Sequence, residues 1–125
     1  MHKSRILAGG LFAIMAFGST PLSAHHSFAL FDNTKEVTLK GTIRQFQWTN
    51  PHCWIQLTVM VGGKAVEYSI EGTSPNNLSR FGWKRNSLKV GDKVTITFHP
   101  LRDGGKGGSF NSVTLPNGRV LSGQV

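Results

Sequence analysis

The sequence predicts an all-β fold, a small five-stranded OB-fold-like Greek-key barrel with one short helix between strands 3 and 4. Three observations lead to this fold class. Apolar and polar residues alternate through successive segments, turns rich in glycine or proline separate those segments, and the one good helix signal follows the third of them. An immunoglobulin-like β-sandwich is the alternative, but it would need about seven strands and no helix.

The first strand is predicted from Val37 onward, because apolar residues occupy every second position. The alternation changes phase beyond Gly41, so that Phe46 and Trp48 take the opposite parity. A bulge or sharp coil between Gly41 and Gln45 explains this change.

The second and third strands have regular alternation. The segment 49–51, Thr-Asn-Pro, interrupts the first strand, and apolar residues then alternate with polar ones from Cys53 to Val61. Two glycines at 62–63 form the next turn, and residues 66–71 alternate again as the third strand.

The helix signal lies directly after the third strand. Ser74 is a suitable N-cap, Pro75 fits the first helical position, and Gly82 can end the helix in the left-handed conformation. Trp83, just beyond that glycine, is expected to pack back on Leu78.

The remaining strands follow the helix. Apolar residues alternate over 94–98, and the glycine-rich segment 103–108 is interpreted as a flexible hairpin connection. Residues 110–115 form the next strand, and the hairpin dipeptide at 117–118 leads to a short return strand at 120–121.

The N-terminus has the pattern of a secretory signal. Basic residues precede an apolar run over 6–17, and a stretch of small residues ends at Ala24. The run is too short for a membrane-spanning helix, which disfavours an anchor. We therefore predict a cleavable signal peptide at 1–24 and a single barrel domain at 25–125, located in the periplasm or secreted.

Composition limits the class of protein further. Residues 25–125 contain twelve basic and six acidic residues, a balance that suits anionic partners or simply favours solubility. Cys53 is the only cysteine, so an intramolecular disulfide is excluded. Its parity within the second strand predicts a buried, unpaired thiol.

Several spaced motifs together resemble a known family. They are His25-His26-Ser27-Phe28-Ala29, Asn50-Pro51-His52, Ser74-Pro75-Asn76-Asn77-Leu78, Gly82-Trp83 and Leu88-Lys89-Val90-Gly91-Asp92. The chain resembles small exported bacterial proteins of unknown function whose mature chain begins His-His-Ser-Phe-Ala. The resemblance implies export and a compact β fold, and it implies no activity.

Cleavage after Ala24 would leave His25 at the mature N-terminus, where its α-amine and imidazole can chelate one metal ion. This arrangement resembles the histidine brace of copper proteins, which needs a further imidazole. The candidate metal site is His25, His26 and His52, and its nitrogen ligands favour Cu(II) over Zn(II) or Ni(II). The alternative is an untied terminus that binds adventitious copper or none.

The histidines also have simpler interpretations. His52 fits a loop histidine that is hydrogen-bonded near the Asn50-Pro51 turn, and His99 fits a surface strand end. In an OB barrel the loops after strands 1 and 4 frame one binding face, so the two side chains can converge there. His52 and Cys53 are adjacent in the chain and therefore point to opposite faces.

Aromatic and basic residues indicate a second kind of site. Trp48, Trp54 and Arg102 are expected to form a ligand-binding rim for a glycan, an anionic small molecule or a protein partner. Stacking aromatics next to cations also occur in nucleic-acid binders, but export disfavours nucleic acid as a partner.

Enzyme chemistry has the weakest support in the sequence. Glu67 and Glu71 share one strand face but lie about 13 Å apart, too far for the carboxylate pair of a glycosidase. We therefore predict a non-enzymatic binding module with a Cu(II) site. The aromatic and basic rim is the alternative, and a copper-dependent oxidase would need the same metal site with an open coordination position.

Overall fold

The structure, a computed structural model, describes residues 29–123, which contain six strands, a helix after the third strand and two helical residues at 29–30. The signal peptide predicted at 1–24 and the site residues His25 and His26 lie outside the described residues. The elements in chain order are β1 (Val37–Gln47), β2 (Trp54–Val61), β3 (Lys64–Glu71), α1 (Pro75–Arg80), β4 (Lys93–Pro100), β5 (Gly107–Thr114) and β6 (Val120–Ser122).

The strands form one sheet in the order β3-β2-β1-β4-β5-β6, and a parallel pairing of β3 with β5 closes the first five strands into a barrel. All other pairings are antiparallel. With α1 between β3 and β4, the predicted OB-fold-like barrel is confirmed. The short β6 pairs with β5 and corresponds to the predicted return strand.

The predicted irregularity in β1 is confirmed. The first half of β1 pairs with β4, the second half pairs with β2, and the register with β2 shifts between Ile43 and Gln45. Gly41 lies where β1 changes partner, and a Cβ there would lie 2.7 Å from the Thr58 carbonyl oxygen. The strand can therefore bend around the barrel only because this position has no side chain.

Both ends of α1 are as the sequence predicts. The Ser74 hydroxyl accepts a hydrogen bond from the Asn77 amide, and Pro75 occupies the first turn. Gly82 follows with φ 84°, and the Trp83 amide donates to the Leu78 carbonyl. This is a Schellman motif, and it turns Trp83 into the core.

The core fills the barrel and extends under α1. Its best-covered side chains, each at most 2% exposed, include Phe98, Ile43, Leu57, Ile70, Leu78, Ile96, Val113 and Cys53. The Trp83 ring packs edge-on against Phe110 with centroids 5.3 Å apart, and its Nε1–H donates to the Ser122 carbonyl. The predicted burial of Cys53 is confirmed.

The interpretation of segment 103–108 as a flexible connection is wrong for its last two residues. Gly107 and Gly108 are buried members of β5 that pair with Ser69 and Ile70 of β3. A Cβ on Gly107 would overlap the Ser69 carbonyl oxygen, and one on Gly108 would overlap that of His99. These glycines therefore permit the close backbone approach that closes the barrel.

Within residues 29–123, we find no helix with the length and apolar character that crossing a membrane requires.

Candidate functional site

The outer surface of β2 and β3 is where OB-folds usually bind ligands, together with the loops after strands 1 and 4. We call this surface the β2–β3 face. Its members are the cross-strand pairs Trp54 with Glu71, Gln56 with Ser69, and Thr58 with Glu67. They point outward because the residues between them on β2, which include Ile55 and Leu57, are buried in the core.

Polar side chains on the β2–β3 face largely satisfy one another. Arg44 Nε lies 2.8 Å from Glu67 Oε2, and the Thr58 hydroxyl donates to the same carboxylate. The Gln56 amide donates to Gln47 Oε1 at 2.8 Å. The positive charge of Arg44 is thus matched by Glu67, and the face is not a cationic groove.

His52 lies in the β1–β2 loop, directly after the cis peptide bond between Asn50 and Pro51. Its Nδ1 is 3.1 Å from the Gly72 carbonyl oxygen and 3.3 Å from Glu71 Oε1. A carbonyl oxygen can only accept, so Nδ1 carries the hydrogen. In the neutral ring Nε2 then holds the free lone pair, and the side chain is 43% exposed.

The backbone around His52 is well fixed. The Cys53 amide donates to the Thr73 carbonyl, and the Gly72 amide donates back to the Cys53 carbonyl. The Thr49 hydroxyl donates to the carbonyl of His52 itself. These bonds set the direction of the imidazole toward the end of β3, while Cys53 points into the core as the sequence predicts.

The chain just after the undescribed N-terminal residues is attached to the β4–β5 loop. The Arg102 amide donates to the Leu30 carbonyl, and Phe31 is buried and pairs with Leu101. This loop in turn borders β3, because the Ser69 amide donates to the Lys106 carbonyl. Leu30 therefore lies beside the same loop that adjoins the C-terminal end of β3 on the β2–β3 face.

His99 lies elsewhere on the barrel. It is on the outer side of β4, and its Nδ1 is 2.7 Å from the Lys35 carbonyl oxygen. His99 and Glu71 both pair with Ser109 of β5, so two strand spacings, about 10 Å, separate His99 from the Glu71 that contacts His52. Residues 29–123 contain no group of three or more histidine, cysteine or acidic side chains that could hold a metal ion.

The three rim residues have different surroundings. Trp54 is partly exposed on the β2–β3 face beside Glu71. Trp48 packs edge-on against Phe46 with centroids 5.8 Å apart, at the border of the core. Arg102 is exposed in the β4–β5 loop. Of the three, Trp54 is the one that the structure brings beside the His52 and Glu71 pair.

A cleft outside this region was missed by sequence reasoning. It lies between the α1–β4 connection and the β5–β6 hairpin, two turns that are separated along the chain. The only signal for it was the density of basic residues in 84–93, which gives no indication of the hairpin that faces it.

The accessibility of Cys53 gives a direct check of the packing beside the candidate site. Burial raises the pKa of the Cys53 thiol, so the reactive thiolate is both rare and covered. We expect the thiol reagent dithiobis(nitrobenzoate) to label Cys53 at least about tenfold more slowly in the folded protein than in the denaturant-unfolded chain at about pH 8. Equal rates in both states would show that the thiol is accessible.

The raised pKa also has a consequence for stability. The folded protein holds the thiol proton more tightly than the unfolded chain does. Its contribution to the free energy of unfolding is therefore complete below the ordinary thiol pKa and is lost as the pH rises through the raised one.

Comparisons with known proteins place the chain in a family and support its fold. A family model described as "Family of unknown function (DUF6152)" matches residues 13–111. No curated protein matches the sequence significantly. Among solved structures, the crystal structure of the mitochondrial single-stranded DNA-binding protein Rim1 from S. cerevisiae is similar, with a TM-score of 0.50 and 14% sequence identity. The match covers 66% of this chain and 94% of that one, and it shows a shared OB-fold.

Proposed function

We propose that this chain, which belongs to the DUF6152 family of unknown function, is an exported OB-fold binding module that binds Cu(II) through His25, His26 and His52. One observation carries the proposal. The imidazole of His52 is held by its Nδ1–H on the Gly72 carbonyl, beside the Glu71 carboxylate, with Nε2 directed away from both.

This arrangement is the one that metal-binding histidines commonly have. Such a histidine donates its second ring N–H to a carbonyl or carboxylate, which fixes the tautomer and makes the ligating nitrogen more basic. Glu71 adds a negative charge 3.3 Å from Nδ1. Imidazole nitrogens and a terminal amine bind Cu(II) more tightly than they bind other common divalent metal ions.

The length of the chain allows His25 to take part. Leu30 is attached to the β4–β5 loop at the end of β4, and His25 lies five positions before it. Ala29 and Leu30 are helical, so only the four positions from His25 to Ala29 can be fully extended, and they span up to about 14 Å. Three strand spacings, from β4 across β5 and β3 to β2, amount to about 14 Å. The two lengths are similar, so an extended segment would place His25 near His52.

A Cu(II) titration of the mature protein tests this site. We expect His52→Gln to weaken binding at least about tenfold, because a ligand is lost rather than only an outer-shell partner. His99→Gln is the matched control, since His99 also binds a backbone carbonyl through Nδ1 and should leave the affinity unchanged. A version with one extra residue before His25 should also bind more weakly.

Three results would contradict parts of the proposal. Equal affinity in all versions would show that neither His52 nor the terminal amine is a copper ligand. If affinity is lost only in the version with one extra residue before His25, copper binds at the terminus without His52 as a ligand. A mature mass that begins at a residue other than His25 would remove the terminal amine as a ligand.

A second candidate is glycan binding on the β2–β3 face. Trp54 stands there beside the amide pair of Gln47 and Gln56, and neutral polar groups next to an aromatic ring suit a sugar. The charges disfavour nucleic acid, because Arg44 is paired with Glu67 and Glu71 adds a further negative charge. Copper binding by none of the versions, together with sugar-dependent quenching of tryptophan fluorescence that Trp54→Phe abolishes, would favour this candidate.

A further inference from the structure

A cationic cleft lies apart from the proposed metal site and shares no residue with it. One wall is the turn between α1 and β4, with Lys84 and Lys89, and the other is the β5–β6 hairpin, with Arg119. Its volume is about 480 Å³. This size is within the range of sites that bind small molecules.

The walls of the cleft are held by their own hydrogen bonds. The Lys84 amide donates to the Ser87 hydroxyl oxygen, and the Lys89 amide donates to Asp92 Oδ2. Across the cleft the Arg119 amide donates to Asn117 Oδ1. The backbone that carries the basic side chains is therefore set before any ligand arrives, which lowers the entropic cost of binding.

These same bonds leave hydrogen-bond donors for a ligand. The Ser87 oxygen already accepts from the backbone, so its O–H can donate outward. The side-chain oxygen of Asn117, Oδ1, likewise accepts a backbone hydrogen bond, which leaves the side-chain NH₂ group to donate. Asp92 is the one acidic residue among the lining residues, and one of its carboxylate oxygens is engaged by the Lys89 amide.

The basic side chains of the cleft form no ion pair within the described residues, and Asp92 offsets one of their three charges. The ion pairs in residues 29–123 are Lys35–Asp32, Arg44–Glu67 and His52–Glu71, so the charged groups of Lys84, Lys89 and Arg119 have no described carboxylate oxygen within 4 Å.

A neighbouring hollow extends the positive surface. It shares Leu115 and Pro116 with the cleft and adds Lys40 and Lys93 without any acidic residue. Converging charges of one sign in a concave surface concentrate ions of the opposite sign.

We propose that this cleft binds a phosphate group carrying at least two negative charges. Arginine provides a bidentate fork for phosphate oxygens, and lysines provide point charges around it. Ser87 and Asn117 add neutral donors that hold the ligand in one orientation. The same chemistry is offered by a free phosphate compound and by the headgroup of an anionic lipid, and the test distinguishes these sources.

Titration of metal-free protein with inorganic pyrophosphate tests the free-ligand form. We expect the variant Lys84→Gln/Lys89→Gln/Arg119→Gln to bind at least about tenfold more weakly than the unchanged protein. The matched control is Lys64→Gln/Arg80→Gln/Lys106→Gln, which removes the same number of lysines and arginines at exposed positions outside the cleft. This control should retain binding, and His52→Gln should retain it too.

Sedimentation with vesicles of phosphatidylcholine, with and without phosphatidylglycerol, tests the lipid form. Binding that requires the anionic lipid and is lost in the cleft variant would support the proposal with a headgroup as the source. Equal loss in the cleft and control variants would show only an effect of net charge and would overturn the proposal. Failure of the unchanged protein to bind either probe would also overturn it. Circular dichroism melts would verify that both triple variants are folded.

Discussion

The Gly108→Ala variant is expected to lose about 3 kcal/mol or more of its free energy of unfolding. An added Cβ would overlap the carbonyl oxygen of His99 on β4 and the ring of Phe98. Backbone atoms cannot move aside as a flexible side chain can, so β5 would have to withdraw from β4. Small domains have only about 5–15 kcal/mol of total stability, so this single methyl group is a large perturbation.

Thermal unfolding followed by circular dichroism measures the effect of Gly108→Ala. A loss of 3 kcal/mol lowers Tm by roughly 12–24 °C in a domain of about 100 residues. Gly72→Ala is the matched control, because a Cβ there would meet its nearest neighbour, the Cys53 carbonyl oxygen, at an ordinary 3.4 Å. The control should stay within about 0.5 kcal/mol. Similar melting of both variants would refute the close approach of β5 to β4 at Gly108.

Trp83→Ala is expected to cost about 3–5 kcal/mol. The indole is 2% exposed and packs between Phe46 and Phe110, at centroid distances of 5.7 and 5.3 Å. Its Nε1–H also donates to the Ser122 carbonyl and so ties β6 to the core. The substitution leaves a large cavity and removes the donor of that partly buried hydrogen bond.

Chemical denaturation of Trp83→Ala checks this magnitude. Phe81→Ala is the matched control, because Phe81 lies two residues away and is 37% exposed. Its removal should cost clearly less. Trp83→Phe separates the two contributions of the indole, since it keeps an aromatic ring and loses the N–H, at a cost of about 1–3 kcal/mol. If Trp83→Ala unfolds like Phe81→Ala, the indole does not anchor α1 and β6 to the barrel.

The family match assigns the chain to a family of unknown function, and the structural similarity supports its OB-fold. They do not assign a ligand, because a likeness at 14% identity carries the fold alone. The charges on the β2–β3 face make the same point from chemistry. Glu67 lies 2.8 Å from Arg44 there, so the charge of this arginine is matched by a carboxylate.

Much of the barrel was predictable because its rules are local. Alternation located the strands, the cap residues Ser74 and Gly82 defined α1, and the change of parity near Gly41 indicated the bulge. Burial of Cys53 followed from the parity of β2 alone. The membership of Gly107 and Gly108 in β5 was missed, because glycine in sequence indicates a loop unless the opposing backbone is known.

The candidate sites also have parts that the sequence predicts and parts that it does not. His52 was singled out by residue type, but the partner that orients its ring, the Gly72 carbonyl, lies twenty positions away and is set by the pairing of β2 with β3. The cleft depends on residues 84–89 and Arg119 lying on facing walls, which no local pattern specifies. The sequence by itself determined the strands, the helix and the buried thiol, since each follows from neighbours within a few residues. Only the tertiary structure decided which side chains meet, because barrel closure brings distant segments together through backbone contacts that side-chain patterns do not encode.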